Sequence, residues 1–161
     1  YAETYRSSGT IPAGAVAGYV LARKGLYRSY NAAAGDICEA VAATAEDGWG
    51  NAITAQLARH PFVECAYVLN EAGVQITDTI FAPGRRGRRP CPLFAPGKVG
   101  SRQGTKEYFL CLGPQQQRYV TDPYVSRATG TLCVTFSSYV RLPTSRLVVV
   151  CVDIDAGEGG R

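Results

Sequence analysis

Two runs of β-branched residues, Thr131–Tyr139 and Arg146–Asp153, stand either side of a short turn, and the second contains Val148-Val149-Val150-Cys151-Val152-Asp153. Successive side chains of a strand point to opposite faces. Val149, Cys151 and Asp153 therefore share one face, and Val148, Val150 and Val152 the other. In the preceding run Cys133, Thr135 and Ser137 form a polar lining opposite Leu132, Val134 and Phe136. The all-Val face belongs against a core, so the sheet carries its polar groups on the opposite face. A sheet of that kind is how a small-ligand cup is built.

The rest of the chain supplies elements around this sheet. From Ala13 to about Ala45 it is Ala-rich, with Val16, Val20, Leu21, Tyr27, Ile37 and Val41 at spacings that fit a helix stripe. Gly25 and Gly35 weaken that stripe, which leaves one long bent helix or two helices meeting near residues 31–36, the second capped by Asp36. Thr10 and Pro12 suit the start of the first. Asp47-Gly48-Trp49-Gly50-Asn51 interrupts the pattern, and Asn51 can cap a short helix, Ala52–Arg59, that Pro61 ends. Phe62–Leu69 is expected to be a strand, turned by Asn70-Glu71-Ala72-Gly73 into a second, Val74–Ile80. Residues 82–104 form a long loop of Pro and Gly around Arg85, Arg86, Arg88 and Arg89, and loops of that length are usually functional or mobile. Strands are expected again at Glu107–Leu112, Arg118–Thr121, Thr131–Tyr139 and Arg146–Asp153. Helices followed by about five antiparallel strands make an α+β plan, a central antiparallel sheet with a long N-terminal helix packed on one face. One domain is expected over residues 13–155, after a lead-in of 1–12 and before a tail of 156–161.

At 161 residues the chain can bury a real core, and 46% apolar against 19% charged residues is a folded composition. No stretch approaches the roughly 18 consecutive apolar residues of a membrane span. The net charge of +4 rests heavily on the Arg-rich loop with Lys98 and Arg102. A local basic loop on a near-neutral body is not a nucleic-acid surface, so no nucleic-acid partner is expected. The sequence opens on Tyr1-Ala2-Glu3, contains no Met and shows no secretory signal, which suggests an excised domain whose anchor or output partner lies elsewhere. Of the six cysteines, Cys65, Cys111, Cys133 and Cys151 sit in apolar, strand-like runs and no C-x-x-C spacing occurs. Buried free thiols are expected over a disulfide framework, and a structural zinc site is not.

No nucleophile–base pair, metal set or phosphate loop is present, so neither catalysis, a metal nor a cofactor is expected. Binding residues are. Asp153 points either into a cup, where its carboxylate could pair with a ligand ammonium, or ends its strand and caps a turn. Tyr108, Tyr119 and Tyr124 would supply amphipathic walls with hydroxyl tips. Thr135 belongs to the polar lining, and Thr77 shares a strand face with Gln75; the alternative for both is a solvated sheet face. Arg102 and Lys106 are candidate carboxylate clamps. The arginines at 85–89 read as a solvated loop, and His60, before Pro61, as a helix C-terminal cation. Cys65, Cys133 and Cys151 share the cup side, but no nearby positive charge would activate a thiolate.

At several of these positions the chain resembles a Cache domain, the extracellular PAS-like (PDC) sensor module. The features run in family order: a long N-terminal helix; a helix ending at His60-Pro61 before Tyr67-Val68-Leu69; and Glu71-Ala72-Gly73-Val74-Gln75-Ile76-Thr77-Asp78, similar to the family's D-x-G-x-Q-x-T/S-D. Tyr108-Phe109, then Tyr124-Val125-Ser126 with Thr129-Gly130 and Cys133-Val134-Thr135, resemble its R-x-Y-F and P-Y-I-S-x-x-T-G-x-x-C-I-T segments, and Val152-Asp153-Ile154-Asp155 its closing V-D-I-D strand. The resemblance covers about residues 13–155 and is to the single-module type. It implies a non-catalytic sensor on the extracytoplasmic (periplasmic) side of a membrane receptor, binding a small molecule that bears a carboxylate or an amine. It also implies a helical homodimer contact and an output signalling domain outside this chain. The sequence departs from the family where Lys106-Glu107 replaces an Arg before Tyr108, and it lacks the Trp of the carboxylate clamp found in amino-acid-binding members. The alternative is a structural dimerisation domain of the same fold with no cognate ligand.

Overall fold

The computed structural model describes residues 13–85 and 95–157. Thr10, Pro12, Arg86, Arg88, Arg89, Cys91 and the tail beyond Gly157 lie outside these. Helix α1, Ala13–Ala43, is a single element of 31 residues that runs through both Gly25 and Gly35. Asp36 caps nothing. Its carboxylate instead meets His60 Nε2 at 2.9 Å and ties α1 to the end of the next helix. After a 3₁₀ turn at Glu46–Gly48, α2 spans Trp49–Leu57. It starts two residues before the expected Asn51 cap, because Trp49 is committed to the core. Its buried indole Nε1 donates to the carbonyls of Val41 and Thr44, both at 3.0 Å, and so satisfies the open C-terminal end of α1.

Strands β1 (Val63–Leu69), β2 (Ile80–Phe81), β3 (Arg118–Val120), β4 (Tyr124–Val125), β5 (Leu132–Arg141) and β6 (Leu147–Asp155) form one antiparallel sheet, with a four-residue helix α3 (Glu107–Leu110) between β2 and β3. The order is β2-β1-β6-β5-β3, with β4 also paired to β5. There are six strands where about five were expected, and the composition of the set differs. Glu107–Leu112 is not a strand: the N–H groups of Phe109 and Leu110 both bond the Lys106 carbonyl and wind the chain into α3. The turn lies across the sheet and buries Tyr108 while leaving Leu110 exposed. Val74–Ile80 pairs with β1 only at Gln75 and at β2, because the backbone of Gln75 is taken by the incoming loop: its N–H bonds Ser101 O and its carbonyl accepts Gly100 N–H.

Alternation along the central strands divides the core in two. Ile37 and Val41 of α1, with Trp49, Ile53 and Leu57 of α2, pack on Val63, Ala66, Val68, Val134, Phe136, Val148, Val150, Val152 and Ile154. On the other face Tyr67, Leu69, Val149 and Cys151 pack with Tyr108 and Leu112. A register shift between Val63 and Cys65 puts Val63 and Ala66 on the same, helix-facing side although they are three residues apart.

Ile37 is fully buried at the centre of the first cluster. Ile37→Ala is expected to destabilise the domain by about 2–5 kcal/mol in chemical denaturation. Gly35→Ala, at a helix-interior site with no atom within 4 Å of the new methyl, is expected to stabilise it by about 0.5–1 kcal/mol. A loss at Gly35 would contradict a continuous α1.

Candidate functional site

The second face of the sheet does not close completely. Between it, the segment 95–106 and the turn after β4 lies a cleft of about 340 Å³. Its floor is set by cross-strand register: Cys65, Asp153 and Thr135 form one row across β1, β6 and β5, and Tyr67, Cys151 and Ser137 the next. A second hollow, under α1 beside Cys38, holds about 10 Å³, no more than one water.

Asp153 sits at the inner end of the cleft, where only 3% of it is exposed. Thr135 Oγ1 donates to its Oδ1 at 2.7 Å and the Cys65 thiol approaches Oδ2 at 3.6 Å. Among the described residues it forms no ion pair with a cation. Burial pushes its carboxyl up to about 6, the charge of Glu64 adds to this, and side-chain hydrogen bonds from Thr135, Cys65 and Ser126 oppose it. The groups around it are held neutral. Burial, then the negative charge of Asp153, raise Tyr67, Tyr124, Cys65 and Cys151, and push Cys133 up to about 12. Tyr108 is raised by burial and by Cys151. A thiolate is disfavoured at every one of these cysteines. Cys111, expected to be buried, is exposed at the end of α3.

Tyr67 and Tyr108 meet edge to face with centroids 6.2 Å apart and form one wall. The wall beyond them is a polar frame. Buried Gln75 donates to Thr79 Oγ1 at 3.1 Å, Thr79 donates to the Gly97 carbonyl at 2.8 Å, Gln103 donates to Gln75 Oε1 at 3.3 Å, and Tyr108 donates to Gln103 at 3.3 Å. A methyl at Gly97 would lie 2.2 Å from Gln75 Oε1, so a side chain there would have to displace the Gln75 amide. Arg102, Lys106 and Arg127 line the outer part of the cleft. One carboxylate at the bottom and three cations at the mouth make a dipolar site.

Of the residues expected from sequence, Tyr108, Tyr124, Asp153, Arg102 and Lys106 line this cleft, and Thr135 lies directly beneath, bonded to Asp153 and to Tyr124. Two are elsewhere. Tyr119, on edge strand β3, turns its hydroxyl to Glu107 on the outside of α3. Thr77 uses its hydroxyl to accept the Val68 N–H at 3.0 Å and so completes the irregular turn beside β1. Tyr67, Gln103, Ser126 and Arg127 also line the cleft without having been expected there. Tyr67 was within reach, since it is two residues from Cys65 on one strand face. Arg127 carried no such signal, because turn geometry alone directs it. His60, paired with Asp36, lies outside the cleft.

No protein-family model matches the chain and no curated protein does. Solved structures match in fold. The sensory domain of the Campylobacter jejuni chemoreceptor Tlp3 (CcmL) with isoleucine bound superposes with a TM-score of 0.62 at 12% identity, over 86% of this chain and 55% of that one. The Tlp3 ligand-binding domain in complex with 4-methylisoleucine gives 0.54 at 14%, over 85% and 52%. The Bacillus subtilis YkuI protein, with an EAL domain, in complex with c-di-GMP and calcium, gives 0.50 at 17%, over 81% and 31%. The chain thus spans about half the length of the Tlp3 structures. The sensor-domain fold expected from the Cache resemblance is the fold observed.

The raised carboxyl of Asp153 has a direct consequence for stability. The native state holds its proton up to about pH 6, whereas the unfolded chain releases it near 3.8. Its stabilising contribution is therefore present below the lower value and lost as pH rises through the upper one. Asp153→Asn is expected to stabilise the unliganded domain at pH 7 by up to about 3 kcal/mol. That gain should shrink towards zero at pH 4, and thermal unfolding of the two proteins across this range measures it.

Proposed function

We propose that this chain is the small-molecule-binding sensor module of a signal-transduction receptor, without catalysis of its own, and that it takes a small ligand bearing a basic amine and an acidic group. The observation that carries this is Asp153: a buried carboxylate with no cation against it among the described residues, at the inner end of an open cleft of about 340 Å³. A group so placed lowers stability and is retained where an incoming cation completes it. A ligand ammonium would supply that charge, and Arg102, Lys106 and Arg127 stand where the acidic end of the same molecule would lie. The two Tlp3 structures are complexes with isoleucine and 4-methylisoleucine, both of this chemistry. The clamp differs from that of amino-acid-binding Cache domains in having no Trp, so its acid-binding end rests on arginine and lysine alone.

The reading places the module on the extracytoplasmic side of a membrane, with its output domain outside this chain. Among the described residues no helix is long and apolar enough to cross a membrane. Helix α1, roughly 45 Å long by its rise per residue, is the element that would carry occupancy to a partner, and its outward face is where a second copy would pack. A small shift of segment 95–106 against a bound ligand would bias it.

A thermal-shift panel of L-amino acids, alkylamines and alkyl carboxylates at pH 7.5 tests the proposal. At a hundredfold excess over Kd, a cognate compound adds about 2.7 kcal/mol, which is a rise of several degrees for a domain of this size. That rise is expected for compounds with an amine and to vanish in Asp153→Ala. A stable dimer that responds to nothing on the panel would instead identify a structural dimerisation domain.

A further inference from the structure

Thr135 is wholly buried in the middle of β5, opposite Asp153 in the register, and no part of it lines the cleft. Its hydroxyl nevertheless joins two groups that do. It lies 2.7 Å from Asp153 Oδ1 and 2.6 Å from the Tyr124 hydroxyl. Its backbone N–H is separately occupied by Thr121 Oγ1 at 3.0 Å, so the strand is fixed behind it.

A hydroxyl carries a single hydrogen. An ionised carboxylate only accepts, so that hydrogen goes from Thr135 to Asp153. The Tyr124–Thr135 bond must then run the other way, with Tyr124 donating. The chain has one direction, Tyr124 to Thr135 to Asp153, and it leaves Tyr124 facing the cleft with lone pairs only. A proton on Oδ1 of Asp153 allows the reverse: the carboxyl donates to Thr135, Thr135 donates to Tyr124, and the Tyr124 hydrogen is turned towards the cleft.

We infer that Thr135 is the positioning residue that sets the hydrogen-bonding polarity of the cleft's inner end, holding Asp153 and Tyr124 together as acceptors for a cationic N–H donor and releasing that arrangement when Asp153 takes up a proton. The inference rests on the amine-binding reading and adds its regulation: occupancy by an amine falls as the medium becomes acidic.

The other groups facing Asp153 do not supply this switch. From β1 come Glu64, Cys65 and Tyr67, and from β5 Cys133. Glu64 is engaged by the hydroxyls of Thr129 and Thr131, and the thiols and phenol stay neutral. Cys151 on β6 and Tyr108 on α3 are neutral as well. Arg102, Lys106 and Arg127 line the cleft away from Asp153, towards its mouth.

The test uses the intact chain with Thr135→Val, which keeps the shape and removes the hydroxyl, Thr135→Ser, which restores it, and Tyr124→Phe. Carboxyl NMR without ligand follows the Asp153 titration. Loss of a hydrogen bond to the charged form is expected to move its midpoint up by on the order of one pH unit in Thr135→Val, and Thr135→Ser should return it. An unchanged midpoint in Thr135→Val overturns the inference whether or not any compound binds. Binding is then measured with L-leucine, isoamylamine, which lacks the acid, and isocaproate, which lacks the amine. Thr135→Val and Tyr124→Phe should each weaken the two amines about tenfold at pH 7.5 and leave isocaproate unchanged. Equal losses for all three compounds would overturn the polarity argument. A shifted midpoint with no binding of any of the three by the wild-type protein would sink the amine-sensor reading and leave the Thr135 relay standing. If Thr135→Val does not fold, Tyr124→Phe decides the polarity argument alone: undiminished amine binding overturns it.

Discussion

Strand β6 is hydrogen-bonded on both sides along its length, to β1 and to β5, so each of its side chains must face either the helices or the cleft. Pairing on both edges forbids a slip of one residue, which would carry Asp153 into the apolar layer and the valines into the cleft. Val148, Val150, Val152 and Ile154 pack under α1 and α2, and at about 1.5–3 kcal/mol for each fully buried side chain they outweigh the cost of one buried carboxylate on the other face. The helical layer thus holds Asp153 in place without touching it. Trp49 makes that layer rigid by bonding the end of α1 while filling the space before α2.

The opposite wall of the cleft is held by backbone. The N–H of Gln75 bonds Ser101, the N–H of Gly100 bonds Gln75, and the N–H of Gln103 bonds Gly73. Gly73 adopts a φ of 73°, and a methyl there would lie 2.5 Å from Gly104. Two glycines therefore allow the turn after β1 and the segment before α3 to touch, with the Phe109 ring packed beside both. The wall is set before any ligand arrives, so binding does not have to order it from a free chain.

This arrangement also explains what could be read from sequence. Period-2 alternation in β5 and β6 is enforced by two-sided pairing, and from it Asp153, Thr135 and the cysteine-bearing face were legible. Where pairing is not two-sided the pattern misleads. Glu107–Leu112 alternates well enough for a strand, yet the edge of β5 is already taken by β3 and β4, and the segment coils into α3 across the sheet. Thr77 is expected in a regular hairpin strand, but the backbone of that segment is shared between β1 and residues 97–102, and the Thr77 hydroxyl is spent on Val68. Tyr119 is on the correct strand, but an edge strand has an outward side, and Glu107 is there to receive it.

The acidic residues of the chain differ in what holds them. Asp155, on the same strand face as Asp153, is bound by Arg85 at 2.7 Å, and the same guanidinium donates to the Pro61 carbonyl at 2.7 Å. Asp36 has His60, Glu46 has Arg146, and Glu64 has two threonine hydroxyls. Each of these contacts ties one element to another, which is a structural use. Among the described residues Asp153, like Glu64, is bonded only to neutral groups, which orient it and do not cancel its charge. It lies two positions from an aspartate that Arg85 binds, so the fold is able to place a counter-ion in this region and, among the described residues, places none at Asp153.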